Sequence, residues 1–485
     1  MEQRRGGGDY VELEVIEDGT TRGSSTHATS GQEESTSQVL RRRRFHWPSP
    51  AFLLLAFVLA MASFLFGTAL RTSDGGIKRT KVYRGSDGGS IALPETYVRP
   101  LVIGHRGSCG MLPEHTLEGY KLAMKQHADC IECDVILTKD GVPICRHDLT
   151  LEQTTDVASR PEFDHKRTTR DVEGETTTGW FAVDFTLDEL KQLRALQRLD
   201  FRDPNYDGLF QVATLQEQID LVKENSGDGG DVDVLSGHDD EAASWHLKLL
   251  NYFMKFWGYS SEDKDKGTDQ GHHHHTPKTC LYPELKSTTW HNSLGMWGGK
   301  RSEDIILDVL EKNGYKTKDD NIYLQSFETL DLEYVHKKSS LKLIQLIGAP
   351  DVVQWDTKRP YEELMSEKGI SEIAKYAFAV SPSKNDICEK NTTTGYIDAS
   401  SVAKGRSWVE MIHSKGLQVH PWVLRDEDRY LAWNYGQDAY NEYTMFIRDV
   451  GVDGFFTDFP ATASNYIRLF ELDLAYQSSH KEKLP

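Results

Sequence analysis

From residue 100 onward, short apolar runs rich in strand-forming residues alternate with stretches of helical periodicity. The runs are 101–103, 130–136, 281–285, 323–327, 342–346, 376–380, 418–423 and 454–457. Amphipathic stretches lie between them at 117–127, 303–312, 330–337, 401–415 and 440–448. Strands joined through a helix pair in parallel, because the chain returns to the starting edge of the sheet before the next strand begins. About eight such units over this length predict a closed (β/α)8 TIM barrel over residues 98–475. An open doubly wound sheet is the alternative, but no glycine-rich nucleotide fingerprint follows the first strand. In a barrel, functional side chains belong at the C-terminal ends of the strands.

One stretch departs from the alternation. Residues 130–148 read CIECDVILTKDGVPICRHD, a strand, a tight turn at Asp140-Gly141 and a returning strand. So short a turn joins antiparallel neighbours, so the return strand is an excursion above the barrel rim. Alternation along the first strand points Glu132 and Asp134 the same way. If residue 137 pairs with residue 142, His147 falls opposite Glu132; a one-step change in the turn still leaves it within reach of Asp134. Cys130 and Cys133 form a C-x-x-C, but no second pair has zinc spacing. Six cysteines are too few for a disulfide scaffold in 485 residues. Cys133 is expected on the back face as a packing residue.

The formal net charge of −19 argues against a nucleic-acid partner, which needs a basic face. Residues 1–50 form a polar tail that includes Arg41-Arg42-Arg43-Arg44. Residues 51–70 are an uninterrupted uncharged run, long enough to cross a bilayer as one transmembrane helix and placed too deep for a cleaved signal peptide. Basic residues flank the run on both sides in near balance, so charge does not orient it. Residues 71–97 read as a stalk and 476–485 as a tail. Residues 149–210 are expected to cap the barrel. Residues 226–278 form an acidic, glycine-rich insertion ending in His272–His275. Within it, 245–259 carries Leu249, Phe253, Phe256 and Trp257 on one helical face. That face reads as a lid touching lipid or as one apolar patch in a loop.

The strand ends carry the chemistry. The first ends in Gly104-His105-Arg106-Gly107; the second carries Glu132 and Asp134, with His147 returned by the hairpin; the third carries Glu284 and Lys286, again two apart. Farther on come Gln325-Ser326-Phe327, His420-Pro421-Trp422 and Thr457-Asp458-Phe459-Pro460. Three carboxylates suit an oxygen-loving divalent cation with open positions for water or substrate. Two histidines suit a general acid and a general base, and Arg106 and Lys286 suit a phosphate. Phe327 and Trp422 are expected as walls of the substrate pocket.

These motifs resemble the glycerophosphodiester phosphodiesterases, in the longer periplasmic and plant-like branch. The matching stretches are GHRG at 104–107, PEHT at 113–116, IECDVILTKDG at 131–141, HD at 147–148, PELK at 283–286, QSF at 325–327 and VDGFFTDFP at 452–460. The resemblance implies a TIM barrel that converts a glycerophosphodiester to sn-glycerol 3-phosphate and an alcohol. It implies Glu132, Asp134 and Glu284 as ligands of Ca2+ or Mg2+, His105 and His147 as the catalytic pair, and Arg106 and Lys286 near the phosphate. His115 departs from the pattern, standing where many members carry Asn. A lysophospholipase D acting on acylated glycerophosphodiesters is the alternative enzyme, and an inactive anchored scaffold the alternative from another class. The partners expected are a small-molecule glycerophosphodiester and the membrane, through 51–70. With one glycosylation sequon at Asn391-Thr392-Thr393, the chain is expected to be a single-pass membrane protein with its barrel lumenal or extracellular.

Overall fold

The computed structural model describes residues 82–84, 90–92, 97–225 and 279–481. The expected span at 51–70 and the insertion at 226–278, with its apolar helical face, lie outside the described residues. Among the described residues no helix is long and apolar enough to cross a membrane. The unit holding Tyr97–Glu471 carries the barrel. In the second unit the described residues form an antiparallel pair, Val82–Arg84 with Ser90–Ala92, and the last turns of a C-terminal helix.

Eight parallel strands make up the barrel: β1 (Leu101–Gly104), β2 (Cys130–Leu137), β3 (Cys280–Leu285), β4 (Tyr323–Ser326), β5 (Lys342–Ile347), β6 (Ala379–Pro382), β7 (Gln418–Val419) and β8 (Gly454–Thr457). From β1 to β7 each strand pairs with the next, and β8 pairs with β1. β7 is shorter than the apolar run 418–423 predicts, yet the chain beyond it still lies along β8. Asp453 N donates to Val419 O at 3.0 Å, Phe456 N to Pro421 O at 2.9 Å and Leu424 N to Phe456 O at 2.8 Å. These bonds bring the sheet round on itself. β6 starts later than the sequence suggests, because Tyr376 and Ala377 close the preceding helix through bonds to Ile373 O.

Alternation along the strands sorts the core into an inner and an outer layer. On β2, Cys130, Glu132 and Asp134 point inward while Ile131, Cys133 and Val135 pack outward against the helices. The barrel interior is filled by Ile103, Tyr282, Ile344 and Phe456 with their neighbours. His420, read above as a strand-end residue, belongs to this filling: it is fully buried, and its Nδ1 lies 2.9 Å from Tyr282 Oη.

The hairpin after β2 forms as expected, but its register is shifted. Leu137 pairs with Pro143 and Val135 with Cys145. Gly141 N donates to Thr138 O, and Gly141 takes a φ of +77°. With Thr138 N also donating to Val142 O at 3.1 Å, the loop is residues 139–141 with glycine in the left-handed position, and residue 137 pairs with 143 rather than 142. Continued past Arg146 N, which donates to Asp134 O at 2.9 Å, this register puts His147 opposite Cys133 rather than Glu132, close enough to Asp134 for the two to interact electrostatically.

The cysteines also differ from expectation. Cys130 is bonded to Cys280 and Cys133 to Cys145, leaving Cys109 and Cys388 free. Cys133 does lie on the buried back face, but the return strand places Cys145 beside it with Cα atoms 5.5 Å apart, within bridging range. Cys130 and Cys280 are register partners on β2 and β3. Pairs between distant segments are set by strand register, which cysteine spacing does not encode.

Candidate active site

Strand register assembles the carboxylates. Asp134 and Glu284 are direct partners across β2 and β3, and Glu132 lies two residues back on the same inward face. Oxygens of all three lie within 4.8 Å of one another, and all three side chains are buried. Burial, then Asp134, raises the Glu132 carboxyl well above the usual range. Burial pushes Glu284 up to about 8, against the pull of Lys286. Asp134 moves the other way: against burial, Lys286, His147, His115 and Arg106 hold it well below its usual value. Three carboxylates so close in a buried space repel one another when charged, which favours either proton uptake or a bound cation. An all-oxygen set with this charge fits a hard divalent ion.

Arg106 sits where β1 ends. Its backbone takes a φ of +54°, which turns its N–H onto Glu132 Oε2 at 2.6 Å. Its side chain donates from Nη1 to Glu114 at 3.0 Å, while Nε, 3.4 Å from Asp134, is buried without a hydrogen bond. Gly107 follows at φ +88°, where a Cβ would stand 2.8 Å from the Gly119 carbonyl carbon. Only glycine lets this turn lie against the helix Leu117–Lys125. Lys286 completes the cationic side, with Nζ 3.2 Å from Glu284 and 5.9 Å from the Phe327 ring centre. Phe327 meets Trp422 edge to face at 5.9 Å, so the two expected wall residues do touch, beside Lys286.

Each histidine is held by a carboxylate at Nδ1. His105 Nδ1 lies 2.6 Å from Asp458 Oδ1, and His147 Nδ1 lies 2.6 Å from Asp148 Oδ1. An Nδ1–H engaged by a carboxylate leaves Nε2 as the basic nitrogen. Burial and then Arg106 lower the His105 pKa to about 4; burial, Arg106 and Lys286 lower that of His147 to about 3. Both rings are therefore neutral at pH 7 before an anion arrives.

Sequence reasoning missed the supports. Asp458 closes β8, and Asp148 follows His147 directly; both lie inside the quoted motifs without a role assigned to them. Asp458 Oδ2 accepts from Arg202 Nη2 at 2.5 Å and from Arg425 Nε at 2.9 Å. Asp148 Oδ2 accepts from Arg198 Nη2 at 2.8 Å, and Arg198 also grips both oxygens of Glu114. Arg198 and Arg202 come from the expected cap, which carries a strand pair, Thr168–Val172 with Glu175–Gly179. His115, the departure from the family pattern, points directly at the carboxylates: Nε2 lies 2.9 Å from Asp134 Oδ2 and Nδ1 2.9 Å from Tyr120 Oη. His105, Cys109 and Asp458 also approach one another closely enough for a metal. Two guanidiniums already neutralise Asp458 there, which opposes a cation.

Comparison with known proteins gives the same family throughout. The model of the glycerophosphoryl diester phosphodiesterase family matches residues 105–270 and 277–462. The glycerophosphodiester phosphodiesterase GDPD6 of Arabidopsis thaliana is 33% identical over 380 residues, covering 76% of this chain and 87% of the relative. The glycerophosphodiester phosphodiesterase of Haemophilus influenzae is 25% identical over 393 residues, covering 76% and 90%. Among solved structures, an Oleispira antarctica phosphodiesterase, crystallised with the product sn-glycerol-3-phosphate, is 17% identical with a TM-score of 0.41, covering 76% of this chain and 97% of that one. A glycerophosphodiester phosphodiesterase of Thermotoga maritima is 18% identical with a TM-score of 0.39, covering 76% and 99%. With the family's model running from the first site histidine to just past Asp458, and a relative of one-third identity along most of both chains, this protein belongs to the glycerophosphodiester phosphodiesterase family and is a phosphodiesterase.

Proposed function

We propose that this enzyme cleaves glycerophosphodiesters to sn-glycerol 3-phosphate and an alcohol, with a divalent cation, Ca2+ or Mg2+, held by Glu132, Asp134 and Glu284. The carrying observation is the pair of carboxylate-anchored imidazoles that meets a buried three-carboxylate cluster flanked by Arg106 and Lys286. A bound cation would supply charge neutralisation at the phosphoryl oxygens. Arg106, whose Nε has no hydrogen bond among the protein groups, and Lys286 donate to the phosphate. One histidine takes a proton from the attacking oxygen at Nε2, and the other delivers one to the leaving alkoxide. Both rings lose basicity to burial and to nearby cations; a phosphodiester anion offsets those cations, so imidazolium forms most readily with substrate in place. The attacking oxygen is the substrate's own glycerol 2-hydroxyl, which needs no second molecule to be positioned. The cyclic phosphate so formed is then opened by water. Phe327 and Trp422 wall the pocket beside Lys286.

The test is release of glycerol 3-phosphate from glycerophosphocholine by the full chain, with EDTA and then with Ca2+ or Mg2+ restored. Loss with EDTA and recovery with one cation is the expected result. Activity untouched by EDTA refutes the metal assignment, and turnover of lysophosphatidylcholine alone moves the substrate to the acylated class. A 2-deoxyglycerol analogue turned over at the normal rate refutes the cyclic route.

The barrel is further proposed to lie on the lumenal or extracellular side of a membrane, anchored through 51–70. Two disulfides suit an oxidising compartment. Asn391 of the sequon is exposed in a turn where its Oδ1 accepts from Thr393 N and Thr394 N, both at 2.9 Å. A mobility shift on removing N-linked glycan from the native protein, lost in Asn391→Gln, is expected. An unglycosylated protein that leaves the membrane in carbonate would refute the topology.

A further inference from the structure

Arg198 and Arg202 lie in one short segment of the cap and reach the two carboxylates that hold the two histidines. The segment is itself fixed by backbone bonds. Ala195 N donates to Phe210 O at 2.8 Å, Leu196 N to Thr154 O at 2.9 Å and Arg202 N to Leu199 O at 3.0 Å. Gln197 N adds a bond to Asp207 Oδ1 at 2.6 Å, and Gln197 Nε2 reaches Cys109 O at 3.2 Å. From this rail Arg198 bridges Asp148 and Glu114, tying the residue after His147 to the loop after β1. Four residues on, Arg202 bridges Asp458 at the end of β8 and Glu427 in the loop after β7. Its Nη1 also donates to Cys109 O at 3.2 Å, so the same guanidinium touches the turn that carries His105.

We infer that the cap segment 195–202 is a two-point clamp: Arg198 and Arg202 are positioning residues that fix the orientation of both histidines through Asp148 and Asp458. The inference rests on the proposed acid–base role of His105 and His147. Each carboxylate spends one oxygen on its imidazole Nδ1 and the other on a cap arginine, a place that Arg202 shares on Asp458 Oδ2 with Arg425 Nε at 2.9 Å. A carboxylate held on one side only can swing about its Cβ–Cγ bond and take the ring with it. Held on both sides, it leaves the imidazole one orientation and one tautomer. Both arginines are largely buried, with side-chain exposures of 17% and 5%, so water is a poor substitute for either. The clamp also gives the insertion between β2 and β3 a role in the chemistry. Neither histidine lies in the cap, yet both are oriented from it, and from a single short run of chain.

The test is steady-state kinetics on glycerophosphocholine with cation present, for Arg198→Met, Arg202→Met and the conservative Arg198→Lys and Arg202→Lys in the full chain. Arg170→Met, which removes the cap ion pair to Asp184 away from the histidines, controls for general loosening of the cap. Each methionine variant is expected to lower kcat by about 10- to 100-fold, less than direct loss of a catalytic group, with KM within about threefold. Lysine restores part of the loss, and Arg170→Met leaves kcat unchanged. Because each arginine acts through its histidine, Arg202→Met added to His105→Ala, and Arg198→Met added to His147→Ala, are expected to lower kcat no further. Normal kcat in either methionine variant overturns the clamp, as does a fall matched by Arg170→Met or a multiplicative loss in the double variants. Should His105→Ala and His147→Ala themselves retain full activity, the acid–base reading fails instead, which separates the two failures.

Discussion

The disulfide between Cys130 and Cys280 makes a sharp prediction, because it stitches the two strands that carry the carboxylates. It joins β2 to β3 two register pairs below Glu132 and four below Asp134 and Glu284. The bridge closes a loop with a sequence separation of 150, and Cys133–Cys145 one of 12. In the chain-entropy account, restricting the unfolded chain by loops of those lengths is worth about 5 and about 3 kcal/mol. Reduction is therefore expected to lower the urea midpoint substantially: with a slope of about 3 kcal/mol/M, the longer bridge alone corresponds to about 1.7 M. Of the whole shift on reduction, Cys280→Ala paired with Cys130→Ala should reproduce about three-fifths, and the Cys133→Ala, Cys145→Ala pair about two-fifths. Losing the longer bridge should also raise the cation concentration needed for activity, since it frees the register that brings Asp134 to Glu284. The assay is a thiol titration in denaturant, before and after reduction, with urea unfolding of both forms. Two reactive thiols before reduction, Cys109 and Cys388, and six after it are expected. Six reactive thiols in the unreduced protein, or a midpoint indifferent to reductant, would refute the reasoning.

Three further outcomes follow from the site. The histidine acting as acid is dispensable when the leaving group needs no proton. Alanine at His105 or His147 should each cost at least about 100-fold on glycerophosphocholine, but only one of the two on a p-nitrophenyl glycerophosphodiester. Equal losses on both substrates would sink the division of labour. His115→Leu removes a donor from Asp134 and should weaken cation binding by about 10- to 100-fold, read as a rise in the cation concentration needed for half-maximal activity. An unchanged titration would make His115 a packing residue. Finally, His291 and His420 are buried, and burial lowers both to about 4. The unfolded chain binds protons at these residues below about pH 6.5 while the native state does not, so stability is full above that pH and lost as pH falls towards 4. Each contributes a slope of at most about 1.4 kcal/mol per pH unit in that window, measurable by urea unfolding at pH 7, 6 and 5. A flat profile would show that the rings are protonated in the folded state.

Much of this protein is legible in its sequence because its signals are local. Strand-forming runs alternating with amphipathic helices imply a parallel barrel without any knowledge of contacts. Period-two spacing puts Glu132 with Asp134, and Glu284 with Lys286, on inward faces, and the position of strand ends brings His105 and Arg106 to them. What the sequence left open depended on register and on long-range meetings. The hairpin pairs Leu137 with Pro143 rather than with residue 142, which moves His147 one step, from opposite Glu132 to opposite Cys133. Cys130 finds Cys280, and Cys133 finds Cys145, through strand neighbours that spacing cannot reveal. The supports of the two histidines are the clearest case. Asp458 meets His105 across the closure of the barrel, and Arg198 and Arg202 arrive from an insertion with no period of its own. A carboxylate's partner is decided by which chain segment folds over it in three dimensions, and only the tertiary structure records that choice.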